Sequence, residues 1–201
     1  MNTQSHIIMG AALFGGDTPK RAWAAALGGA LPDIPMLLIV VTLMIARVPG
    51  HQIFDELYWQ KWWQITNAIA HNFWGWGGLL LLSLFMRERL NATAENMDFW
   101  ALVTVFAASG LLHSCIDFLV HREDAHMHLW PVTNWKFMSP VSYYDSAHYG
   151  RIFSLFEAAL GLVLSIVLLR RFDATLLRIV LAIVMALYMA VPAFFIFKMA
   201  Q

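Results

Sequence analysis

Apolar residues in this chain gather into long, nearly unbroken runs separated by short polar or Pro/Gly-containing stretches, unlike the one-sided stripe of a water-facing helix. Five runs approach or exceed the roughly 17–25 residues that cross a bilayer core: residues 23–45, 69–86, 99–120, 153–169 and 175–197. Residues 3–16 are also apolar but too short to span. They predict a short helix dipping into one leaflet or packed inside the bundle, capped by Thr3 or Ser5 and ended by Gly15-Gly16. The expected fold is an all-α integral membrane protein forming one domain over residues 1–201. It has five long transmembrane helices, a short N-terminal membrane-dipping helix and a long polar loop, 121–150.

The first long run is interrupted by Leu31-Pro32-Asp33-Ile34-Pro35. Two prolines remove backbone donors, and at membrane depth such a break is tolerated only inside protein or beside a polar cavity. Asp33 stands in that break, with helix capping as its simpler role. Residues 47–66 read as an interfacial loop, with Tyr58, Trp59, Trp62 and Trp63 as an aromatic belt.

Composition supports the membrane class. Of 201 residues, 60% are hydrophobic and 13% charged, against about 25% charged in soluble chains; mean hydropathy is +0.61. The net charge of zero gives no basic excess that would point to nucleic acid. The lone Cys115 excludes an internal disulfide framework and a cysteine-based zinc finger, and inert packing is its expected role. The first cation, Lys20, follows the first apolar run, so no secretory signal is expected. Lys20-Arg21, Arg87/Arg89 and Arg170/Arg171/Arg178 fall on one side if each long run crosses once. By the positive-inside rule that side is cytoplasmic. Loop 121–150, with His71, His113 and Asp117, is then expected near the non-cytoplasmic face.

Ionisable residues cluster where the runs meet that face. If the third helix continues past residue 120, His113, Asp117, His121, Asp124 and His128 recur at three- and four-residue spacing and form a ladder on one helix face. His6, Asp33, His71, His113 and Asp117 come from four segments and make a mixed nitrogen and oxygen ligand set. Such a set suits zinc or another first-row divalent ion, including a two-metal site with a bridging carboxylate. A divalent ion lowers the pKa of a bound water to about 7, so the expected activity is hydrolysis of a lipid or lipid-linked (phospho)ester at headgroup level. Asp117, His121, Asp124 and His128 are the candidate catalytic residues, and Asp145, His148 and Glu157 are further candidates. His126 reads as an ordinary wet histidine, like its neighbour His128 on the simpler view. Two other classes compete: a haem protein with His71 and His113 as axial ligands, and a structural subunit whose polar residues hold helices together.

At these residues the chain resembles the YdjM-type inner-membrane putative metal-dependent hydrolases. The resemblance rests on Thr3-x-Ser5-His6, the Leu31-Pro32-Asp33-Ile34 break, His71, His113-x-x-x-Asp117 and Leu129-Trp130-Pro131, and covers most of residues 1–135. It implies a helical membrane protein with a metal site made by His6, Asp33, His71, His113 and Asp117, and hydrolase chemistry. The family's His-Arg-Gly-x-x-His element is incomplete here, since Thr66-Asn67-Ala68 stand ahead of Ile69-Ala70-His71.

Overall fold

The computed structural model describes residues 1–89 and 94–198, and every regular element among them is helical. In chain order these are α1 (Thr3–Phe14), α2 (Pro19–Ala30), α3 (Ile34–Ile45), a π-helical turn (Gln52–Leu57), α4 (Lys61–His71), α5 (Phe73–Arg89) and α6 (Ala94–Val120). A single 3₁₀ turn (Ser146–His148), α7 (Gly150–Arg171) and α8 (Thr175–Lys198) complete the set.

Three segments are long and apolar enough to cross a membrane: Lys61–Arg89, Met97–Val120 and Gly150–Arg171. A fourth is added if α2 and α3, bent by 63° at the proline break, count as one broken span. The expectation of five long crossings is met only to this extent. α8 is apolar over Thr175–Ala186, while the side chains at 187 and 189–198, which would complete the fifth crossing, lie outside the described residues. Large apolar side chains such as Leu38, Ile45, Leu81, Val163 and Ile183 stand exposed. Outward faces this greasy match hydrocarbon rather than water.

Between the helices the packing is done by small residues. Ala25 and Ala107 are fully buried. A Cβ on Gly10 would run into Ser109 and the Ala25 carbonyl, and one on Gly28 into the Phe106 backbone. α1, α2 and α6 therefore pack backbone to backbone, the small-residue mode of membrane helices.

α1 is tied down at both ends. Its N-cap is Asn2, which makes no side-chain cap bond, and the two expected caps point elsewhere. Thr3 Oγ1 donates to Asp33 Oδ2 (2.6 Å) and Ser5 Oγ to Glu157 Oε1 (2.6 Å). Glu157, buried on α7, also accepts from the Asn2 backbone N–H (2.7 Å) and Nδ2 (2.9 Å). Its carboxylate thus sits on the positive end of α1, where the helix dipole favours it. At the other end Gly15 and Gly16 do terminate the helix, with Gly16 at φ +54°. Arg171 Nη1 donates to the Ala12 carbonyl there (2.9 Å). The starts of α1 and α7 therefore share one end of the bundle, and Lys20, Arg21, Arg170 and Arg171 belong to the other.

Residues 47–66 depart from the expected loop. The π-helical turn and the first half of α4 occupy them, and the second crossing begins at Lys61 rather than Ile69. Trp63 is fully buried, packed edge-on to Tyr58 at 5.7 Å and backed by Met36, Ile39, Val40 and Leu43. Only Trp59 and Trp62 of the expected belt are exposed. Cys115, expected to pack inside, is exposed as well.

Backbone-to-backbone packing makes a prediction. Gly28→Val should lower the thermal unfolding midpoint in detergent, overpacking costing about 1–3 kcal/mol. Gly78→Val, at a position with open space around its Cα, should leave it nearly unchanged.

Candidate metal centre

α6 carries His113 and Asp117 one turn apart, so both side chains leave the same face. α4 ends on His71, and the α2–α3 break delivers Asp33. Each of these four buried residues offers a ligand atom, and the four atoms lie within 4.8 Å of one another. Four of the five expected ligands thus converge. His71 Nε2 is 3.5 Å from Asp33 Oδ1 and 3.6 Å from Asp117 Oδ2. His113 Nε2 is 3.6 Å and 2.9 Å from the same two oxygens.

The backbone decides which nitrogen faces the carboxylates. His113 Nδ1 lies 2.7 Å from the Gly29 carbonyl and His71 Nδ1 lies 3.0 Å from the Asn67 carbonyl. A carbonyl only accepts, so both Nδ1 atoms carry hydrogen, and in its neutral form each ring presents an Nε2 lone pair to Asp33 and Asp117. Neither buried Nε2 makes a hydrogen bond among the described residues. Lone pairs turned on carboxylate oxygens repel in a low-dielectric interior, and a divalent cation among them reverses the sign. A carbonyl behind the imidazole is also the usual outer support of a metal-binding histidine.

His6, the fifth expected ligand, stands beside this group. Its Nε2 donates to Asp117 Oδ1 (2.9 Å), and its ring stacks on His113 with centroids 3.5 Å apart. The Met1 ammonium also donates to Asp117 Oδ1 (2.8 Å). Asp33 heads α3 but makes no capping bond; its side chain is turned into the cluster. Thr66, where the resembled family has its extra histidine, donates to its own helix at Trp62 O (3.0 Å) and brings no donor.

The five-residue ladder does not form, because α6 ends at Val120. Its last carbonyls are claimed from outside the helix, Ser139 Oγ donating to Leu119 O (2.5 Å) and Tyr143 N–H to Val120 O (2.9 Å), and just beyond it Ser139 N–H donates to His121 O (3.1 Å). Loop 121–150 folds back over the cluster instead. His121 Nε2 comes within 3.4 Å of Asp117 Oδ1, and Asp124 Oδ2 lies 2.8 Å from His121 Nδ1. That contact is close, although the N–H is not aligned as a hydrogen bond.

His126 and His128 are buried, not wet. The His126 ring lies 4.2 Å from that of His71. A second donor group, Asp117, His121 and His126, satisfies the same 4.8 Å criterion as the first. His128 lies between Phe73 (5.0 Å) and Phe118 (5.4 Å) and donates from Nδ1 to the His126 carbonyl (3.1 Å), which leaves its buried Nε2 without a hydrogen bond among the described residues. Asp145 and His148 pair with each other at 2.6 Å and belong to neither donor group.

Burial, with repulsion from His71, pushes His128 down to about 3 and His126 well below the usual imidazole range. Burial and the Met1 ammonium lower His121 too, but Asp117 and Asp124 outweigh them and hold it above that range. Neutral His126 and His128 are the ligand and proton-acceptor forms.

No protein-family model, curated protein or solved structure matches the chain.

Convergence of four donors predicts a metal-linked stability. Zn²⁺ added to chelator-stripped protein at about 100 times its Kd should add about 2.7 kcal/mol, read as a rise in the unfolding midpoint. His113→Ala should abolish most of that rise.

Proposed function

We propose that the chain is a membrane-embedded, divalent-metal-dependent hydrolase acting on a lipid or lipid-linked phosphoester, with zinc the best-suited ion. One observation carries this reading: the Nε2 atoms of His71 and His113 meet Asp33 and Asp117 oxygens in a buried space, unsatisfied by hydrogen bonds. A structural histidine–carboxylate network would be hydrogen-bonded throughout. The haem reading is disfavoured by the same geometry, because Asp33 and Asp117 oxygens lie within 3.6 Å of both nitrogens, in the ground a flat macrocycle would need.

Asp33, His71, His113 and Asp117 hold the ion in this reading. A bound divalent ion supplies a water of lowered pKa and polarises the ester oxygen it meets. Gly29 and Asn67 keep the two imidazoles in the ligating tautomer, Thr3 fixes Asp33, and His6 fixes Asp117. His128 keeps a buried Nε2 without a hydrogen bond among the described residues, and Asp124 orients His121 at the edge of the cluster.

The lipid part of the reading is supported by a groove of about 420 Å³ beside the cluster, lined by Leu31, Pro35, Ile69, Ala70, Trp76 and Phe106 among others. Leu31 and Pro35 flank Asp33, and Ile69 and Ala70 lead to His71. Its polar lining side chains, Thr66 and Asn72, are turned to their own backbone. The groove therefore has nothing to offer a polar ligand and suits an acyl chain. We assign the protein to the bacterial inner membrane, multi-pass, on the family resemblance, with the site toward the non-cytoplasmic face on the cation distribution.

The test is an assay of zinc-loaded protein in mixed micelles against phospholipids and polyprenyl phosphates, with products read by mass spectrometry. Cleavage lost about 100-fold or more in Asp33→Ala and His71→Ala is expected. Fully loaded protein that cleaves nothing in the panel would sink the enzymatic reading.

A further inference from the structure

We propose that Asp117, His121 and His126 hold a second divalent ion, with Asp117 shared between the two positions. The inference rests on the first position being a metal site, and it adds a residue, His126, to which the sequence pattern gave no role.

The two oxygens of Asp117 face different partners. Oδ2 is turned to His113 (2.9 Å) and His71 (3.6 Å), whereas Oδ1 meets the Met1 ammonium (2.8 Å), His6 (2.9 Å) and His121 (3.4 Å). A carboxylate so divided is placed to bridge. His121 and His126 both come from the loop that folds back over α6, and their rings lie 5.0 Å apart. With Asp117 they bring three ligand atoms within 4.8 Å of one another, all from buried residues.

His121 also carries the outer support expected of a ligand. Asp124 Oδ2, 2.8 Å from Nδ1, favours hydrogen on that nitrogen and frees Nε2 toward Asp117, the carboxylate–histidine–metal arrangement. A positive charge already rests at this point: the Met1 ammonium is 2.8 Å from Asp117 Oδ1 and 3.2 Å from His121 Nε2. An ion entering there replaces the ammonium at Asp117. Asp124 is thus a positioning residue, acting on the ion through His121.

The experiment uses full-length protein in detergent, stripped with chelator and titrated with Mn²⁺. Ions per chain are counted by elemental analysis after desalting, and the spin coupling of neighbouring Mn²⁺ ions is read by electron paramagnetic resonance. Wild-type protein should hold two coupled ions. His126→Ala and the milder His126→Gln should hold one, without the coupling signal, and Asp124→Ala should weaken the second binding step by about 10–100-fold. Size-exclusion and circular dichroism profiles matching wild type qualify each variant; if neither His126 variant qualifies, the wild-type count and coupling decide alone. One ion in wild type overturns the second position and leaves the first standing. Two coupled ions retained in a folded His126 variant overturn the assignment of His126. No ion in wild type overturns both positions.

Discussion

Two carboxylates, Asp33 and Asp117, are buried within reach of the same imidazoles, and no bulk water neutralises them. Taking an ionised carboxylate out of water costs several kcal/mol even after relaxation, so the surrounding elements have to bring positive or proton-donating groups to both. Thr3 reaches Asp33, while His6 and the Met1 ammonium reach one oxygen of Asp117. What remains is the inner face of the cluster, where carboxylate oxygens look at imidazole lone pairs. A cation in that place would turn repulsion into binding.

The fold answers with close packing and backbone anchors. α1, α2 and α6 meet through glycine and alanine, so backbone carbonyls come within reach of buried rings. The bent α2–α3 pair turns Asp33 inward at the point where its prolines deprive the helix of donors. Glu157 does a parallel task at the start of α1, accepting from the Asn2 backbone N–H and side-chain amide as well as the Ser5 hydroxyl. Lipid-facing surfaces carry no such demands and are built of interchangeable apolar side chains. Polar precision is concentrated in a few residues at one end of the bundle.

Much of this was legible in the amino-acid pattern, and the rest was hidden for identifiable reasons. Apolar run length found three spanning helices, and a fourth if the bent α2–α3 pair counts as one, and the Pro-Asp-Ile-Pro break marked Asp33, because both are local signals. His113 and Asp117 were readable as a pair because helical spacing fixes their common face. The ladder beyond Val120 failed because periodicity cannot register that Ser139 and Tyr143, some twenty residues away, claim the last carbonyls of α6. For the same reason His126 and His128 looked wet. Their burial depends on a loop whose path is set by long-range contacts, such as Phe73 N–H to His128 O (2.9 Å). Trp63 was misplaced by composition, since an aromatic cluster beside a membrane segment looks the same whether it faces headgroups or a core.

Gly29 joins two otherwise separate matters. Its carbonyl fixes the His113 tautomer, and its α-carbon lies so close to the His6 backbone that a methyl group there would collide with it. Exchanging glycine for alanine is ordinarily a simple route to a sturdier protein, worth about 0.4–1 kcal/mol where the backbone allows it. At Gly29 that route is closed, because whatever the chain gained in stiffness would be lost in the alignment of an imidazole. Robustness in this protein has to be sought on its oily exterior, at positions such as Gly77 and Gly78, where an added Cβ meets nothing.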